Sequence, residues 1–106
     1  MMSRLFGVFA SHSPESCPLN NAESRKKFIQ MEDKIHSRIS KHRISRIVGF
    51  YMSVLEHGWV IILEGDSAHE IENFCIDVGI SAFNTVKIVP LDSFDHVIKK
   101  VKSKPA

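Results

Sequence analysis

Hydrophobic and polar positions change their period several times along the chain, and each change marks a new element. Arg4 to His12 is rich in Phe and Val and stops at Ser13-Pro14, which predicts a first strand and then a loop over Ser13 to Leu19 stiffened by Pro14 and Pro18. The period then lengthens to that of a helix. Phe28, Met31, Ile35 and Ile39 fall on one face, with Asn20 as the N-cap and Glu23 placed to return a bond to its amide. The other face is basic, with Arg25, Lys26, Lys27, Lys34, Arg38 and Lys41. Ile44 to Leu55 is too densely apolar for a one-sided strand: Val48, Phe50, Met52 and Val54 share one face, and Ile47, Tyr51 and Leu55 the other. Glu56-His57-Gly58 is a tight connection into Trp59 to Leu63, apolar at every position as in a central strand buried on both sides. Ser67 and Glu70 form a capping box ahead of Ile71, Phe74, Cys75 and Val78 at helical spacing, and Gly79 is placed to stop that helix. Thr85 to Leu91 reads as a fourth strand whose Pro90 marks its end or an edge position. Asp92 or Ser93 opens a short last helix with Val97, Ile98 and Val101 turned inward.

Strand, helix, strand, strand, helix, strand has few solutions once crossovers are right-handed. The commonest is an α+β fold with a four-stranded antiparallel sheet and both helices on one face. Residues 1–101 are expected to form this single domain, and 102–106 a frayed basic tail. Helices on one face leave the other bare. The apolar residues there would form a patch that a soluble monomer rarely tolerates, so a homodimer joined sheet to sheet is expected, with a ligand in the cavity between.

The chain resembles the dimeric α/β-barrel superfamily of ferredoxin-like proteins over residues 4 to 101 in its order of elements. A narrower likeness rests on His12-Ser13-Pro14-Glu15-Ser16-Cys17-Pro18, with Trp59 to Glu64 and Val86 to Leu91 in support. On these segments the chain is similar to a small family of uncharacterised microbial proteins. The superfamily includes small cofactor-independent monooxygenases, haem-degrading enzymes, muconolactone isomerases and stress-response dimers. The resemblance therefore implies the βαββαβ fold and a dimer, and it transfers no catalytic residue, because a shared fold does not carry a shared activity.

Composition narrows the class of protein. With 106 residues, 43% hydrophobic and 25% charged, the sequence is that of a globular chain with one core, which excludes a largely disordered one. No apolar run reaches the roughly 20 residues of a membrane span, and the short N-terminal stretch alternates as a strand does, so no membrane association and a cytoplasmic location are expected. Two cysteines, Cys17 and Cys75, are too few for a disulfide framework. The net charge of +2 conceals nine Lys/Arg against four Asp/Glu in residues 1–53, and five against eight in residues 54–106. A solvated helix face explains the basic half better than nucleic acid does. There is no phosphate loop, nucleophile elbow or dinucleotide fingerprint.

Chemistry concentrates in the His12 to Pro18 segment, where an imidazole, a carboxylate and a thiol lie on a stiff loop. His12 is expected to act as base or metal ligand, and Cys17 as nucleophile or soft metal ligand. Arg46 and Glu64 are expected near the exit of the first strand, so His12, Cys17, Arg46 and Glu64 form the candidate cluster, with Glu64 assisting catalysis and Arg46 binding a ligand. Tyr51 is a second ligand-binding candidate in the dimer cavity. A nearby Arg46 would favour the Cys17 thiolate, so Cys17 is expected to react before a buried Cys75. His57 is expected at the opposite end of the sheet, some 23 Å away for about seven strand residues at roughly 3.3 Å each. His36, His42, His69 and His96 are read as surface residues, and Trp59 as core. No cofactor is named by these residues. The expected function is a module that binds or senses a small, partly apolar molecule. The alternatives are a monooxygenase- or isomerase-type enzyme using His12, and an interaction dimer without ligand.

Overall fold

The computed structural model describes residues 4–105; expectations that fall on residues 1–3 and 106 lie outside it. Strand β1 (Arg4–Ser11) leads through a short 3-10 turn into helix α1 (Ala22–Arg38), followed by β2 (Ile44–Ser53), β3 (Gly58–Gly65), α2 (Ala68–Val78), β4 (Thr85–Leu91) and α3 (Phe94–Lys102). The strands form one antiparallel sheet in the order β2-β3-β1-β4, the βαββαβ arrangement expected. Alternation puts Phe6, Val8 and Ala10 of β1 and Trp59, Ile61 and Leu63 of β3 on the helix side. There they pack with Met31 of α1, Ile71, Phe74, Cys75 and Val78 of α2, and Ile80. Each of the Val, Leu, Ile, Phe and Met side chains among them contributes about 1.5–3 kcal/mol on removal from water, before entropy is set against it.

Local signals explain where the helices begin and end. Ser67 caps α2 by accepting a bond from the Glu70 amide, and Gly79 closes it at φ 98°, a conformation that glycine adopts without strain. The cap of α1 is Asn21, one residue beyond the expected Asn20; its side chain accepts from the Ser24 amide. Asn20 instead donates to the Pro14 carbonyl and helps close the loop.

Four expectations are corrected. Irregularities at Ile44/Arg46 and Ile47/Gly49 shift the alternation of β2, so that Ile47 and Phe50 both pack toward the helices while Val48 is exposed. Strand β3 is central but alternates between buried and half-buried positions, because among the described residues no element covers its second face. Helix α3 buries no residue; Phe94, Val97 and Val101 are exposed, and Ile98 is only half-buried. Its amphipathic period shows which side is apolar without supplying a surface to receive it. His42 is buried instead of exposed, with Nε2 2.8 Å from Asp77 Oδ2 and Nδ1 4.0 Å from Glu70 Oε2. Arg38 and Lys41 also pair with Asp77, tying the end of α1 to α2. The His42 bond, aided by those two cations, holds the Asp77 carboxyl below its usual range.

The face of the sheet away from the helices is left open by the described residues. Phe9 and Tyr51 are exposed on it. The Tyr51 ring lies across Gly49, where an added Cβ would meet its Cε2 at 2.6 Å, and the Phe9 ring lies beside Gly7 at 3.1 Å. Glycine at these positions lets the aromatic rings lie against the sheet surface.

Candidate metal centre

The antiparallel register decides which residues meet. Ser11, the last residue of β1, stands opposite Gly58, the first of β3, and the ladder continues for one more bond from the His12 amide to the His57 carbonyl, 3.1 Å. His57, expected far from His12, is therefore its neighbour. The crossover through α1 makes β1 and β2 run the same way, and β3, inserted between them, runs the other way. For the same reason Arg46 and Glu64 lie at the opposite end, where Arg4 faces Gly65. They pair with each other at 3.0 Å on the surface, outside any cluster with His12 and Cys17.

The loop that carries Cys17 is tied down at several points. Ser13 caps the turn Pro14–Ser16, the Cys17 amide donates to the Pro14 carbonyl, and the Cys17 carbonyl accepts from the amides of both Asn20 and Asn21. Asn21 donates through its side chain to the Glu15 carbonyl, and Arg25 reaches back to the carbonyls of Pro18 and Leu19. The Cys17 side chain is thus held inward and buried, while Glu15 of the same loop faces water. His57 is held by the turn between β2 and β3 at φ 53°, a left-handed conformation that costs a residue with a Cβ roughly 1–2 kcal/mol.

One donor atom each from His12, Cys17 and His57 lies within 4.8 Å of the other two. Donors on a small transition-metal ion stand about 3.5 Å apart, given bonds of about 2.0 Å to nitrogen and 2.3 Å to sulfur, so small side-chain movements would close the set. The tautomer of a neutral His12 follows from its partners. The Asn84 side chain donates through Nδ2 to the Ile80 carbonyl, 2.9 Å, which orients its Oδ1 toward His12 Nδ1, 2.9 Å away. Oδ1 only accepts, so Nδ1 of His12 carries a proton, and the neutral imidazole then has its lone pair at Nε2. That Nε2 and the Nδ1 of His57 are both buried without a hydrogen-bond partner. A buried polar atom left without a partner costs about 1–3 kcal/mol, and an ion bound to both nitrogens would supply one. The Asn84-His12 contact has the form of the outer bonds that orient metal-ligating histidines. The rings of Trp59 and Phe83 meet His12 edge-on at 5.9 and 5.7 Å and fix its plane.

The three side chains border a cavity of about 120 Å³, whose other walls include Leu19, Phe28, Met52 and Trp59. It lies on the helix side of the sheet, so Tyr51, on the open face, does not face it. Cys75 sits in the core of α2, where burial, and to a lesser degree Glu72, pushes its thiol up to about 12. His57 is the participant that sequence reasoning missed; the strand directions already implied by the βαββαβ order would have placed it.

No family model and no curated protein matches the chain. Among solved structures, a conserved protein of unknown function from Bacteroides thetaiotaomicron, described as a possible oxidoreductase, is similar with a TM-score of 0.53 at 12% identity, over 86% of this chain and 97% of that one. The uncharacterized protein TM1266 from Thermotoga maritima aligns with a TM-score of 0.43 at 17% identity, over 86% of this chain and 100% of the other. The first of these likenesses bears on the fold. Among the described residues, no helix is long and apolar enough to cross a membrane.

Proposed function

We propose that the protein is a homodimeric metal-binding module of the dimeric α/β-barrel type, whose ion is held by His12 Nε2, His57 Nδ1 and Cys17 Sγ at the junction of β1 and β3. The carrying observation is the pair of buried, unpartnered imidazole nitrogens, one from each histidine, beside a thiol held inward by its loop. A purely structural role for His12 would be expected to satisfy both ring nitrogens. Here one is satisfied by Asn84 and the other is left to a buried gap. The set of two imidazoles and one thiolate suits late first-row ions and not magnesium or calcium, which take oxygen donors. Three protein ligands leave a further position toward the apolar cavity, as in sites that exchange a ligand or react. The small, partly apolar molecule expected for this protein would enter there, and Tyr51 would belong to the dimer contact. The dimer itself is supported by the uncovered apolar residues of the sheet and of α3.

Cobalt(II) tests the metal reading because its bond to a thiolate gives a charge-transfer absorption that nitrogen and oxygen ligands do not. Titration of the reduced protein should saturate at one cobalt per chain with that absorption. Cys17→Ser should abolish the band, and Cys75→Ser should keep it. Absence of saturable binding in the folded wild type contradicts the assignment.

A further inference from the structure

The charge of the site and of its walls selects among the ions that could occupy it. Resting on the metal-binding reading above, we infer that the physiological ion is monovalent copper, bound by His12, His57 and Cys17 as a neutral, three-coordinate centre. The two histidines bind as neutral imidazoles, and Cys17 gives up its thiol proton on binding. A divalent ion would then leave a net charge of +1, whereas copper(I) with one thiolate leaves none.

Nothing around the cavity balances an uncompensated positive charge. Besides the three donors, its walls are Pro18, Leu19, Phe28, Met52, Ser53, Val54 and Trp59, with no carboxylate among them. Among the described residues, no Asp or Glu joins the His12, Cys17, His57 group. The acidic residues nearest in sequence to the donors, Glu15 on the loop and Glu56 beside His57, are both exposed and neither borders the cavity, and Glu64 is committed to Arg46 at the far end of the sheet. With exposed walls at Leu19, Ser53 and Val54, a net charge here is balanced by solvent alone, whereas a neutral centre needs no counter-charge. Hardness points the same way. A thiolate among imidazoles favours a soft ion, and Met52, whose thioether is polarizable and uncharged, lines the wall.

The inference is tested with reduced protein under anaerobic conditions, with copper(I) and zinc(II) each competed against a chelator of known affinity for that ion. X-ray absorption then reads the coordination of bound copper. Expected are one copper(I) per chain bound at least a thousandfold more tightly than zinc(II), and a shell of two nitrogens and one sulfur with no fourth ligand. A carboxylate introduced into the wall supplies an independent arm. Ser53 lines the cavity and its Oγ accepts from the Glu56 amide at 3.1 Å, a bond that Asp can also make, so Ser53→Asp keeps the turn while adding negative charge. That variant should raise zinc(II) affinity tenfold or more and leave copper(I) affinity unchanged. Zinc(II) bound within tenfold of copper(I) in the wild type, a four-coordinate copper shell, or no gain of zinc affinity in Ser53→Asp overturns the copper assignment and leaves the metal site standing. If neither ion nor cobalt(II) binds, the metal site itself falls.

Discussion

At the scale of single residues, the site is carried by which atoms lack partners. His57 keeps a left-handed φ of 53° in a turn where glycine would be unstrained, and its Nδ1 is buried without a bond. Strain retained next to a cluster of donors is an observation from which a role can be inferred. His57→Gly relieves the strain and removes the orphaned nitrogen, at an entropic cost of similar size in the unfolded chain. Its stability without metal should therefore stay within about 1 kcal/mol of wild type in urea denaturation, while metal binding is lost. A large loss of stability would mean that the imidazole is a packing element. Asp77 offers a separate test through pH. Its carboxyl is held below the usual range chiefly by His42, so the stabilisation is present above about pH 4 and is lost as pH falls through the lowered value. Asp77→Asn should thus be less stable than wild type near pH 6, and the two denaturation midpoints should converge in acid. A gap that persists at low pH would contradict the ionic origin. Cys17 and Cys75 are both buried, but Cys17 borders a cavity and Cys75 is pushed up to about 12, so Cys17 should alkylate first in the metal-free protein.

At the scale of elements, the parts carried by local chemistry were legible. The caps at Ser67 and Gly79, the apolar stripe of α1 and the edge position of β4 follow from residue types at short spacing. Gly79 has φ 98° and nothing within 4 Å of where a Cβ would stand. Gly79→Ala should accordingly cost about 1 kcal/mol from backbone strain alone, measured by thermal or urea unfolding. A loss above about 3 kcal/mol would require a clash that the structure does not contain. The parts that depend on how elements pair were less accessible. His12 and Cys17 lie close in sequence and could be read together, whereas His57 joins them only because β3 runs antiparallel to β1. The same register separates Arg46 and Glu64 from the loop. The irregularities in β2 that bring Ile47 to the same side as Phe50 have no sequence marker as clear as a proline. For α3, periodicity identified an apolar side but not the surface, inside or outside the chain, that would cover it.

At the scale of the whole molecule, two apolar surfaces have no partner among the described residues. One is the sheet face carrying Phe9 and Tyr51, and the other is the side of α3 carrying Phe94, Val97 and Val101. Association of two copies would cover the first and would explain why aromatic rings are kept over glycines on an exposed sheet. Tyr51→Asp would place a charge in the proposed contact, and light scattering should then report monomer for the variant and dimer for the wild type. A wild type that is monomeric at high concentration, or a variant that remains a dimer of unchanged stability, would contradict sheet-to-sheet pairing. Because the proposed metal ligands all come from one chain and lie on the helix side, that monomeric variant should still bind the proposed ion.

The central claim is that one ion joins the end of β1, its following loop and the β2–β3 turn. Anomalous scattering from a crystal grown with copper or cobalt, recorded on both sides of the metal edge, measures this directly. The account predicts one strong peak per chain within bonding distance of His12 Nε2, His57 Nδ1 and Cys17 Sγ, with the Asn84 contact to His12 retained. A fully loaded crystal with no peak there, or with metal only at surface residues such as His96 and Asp92, would contradict it.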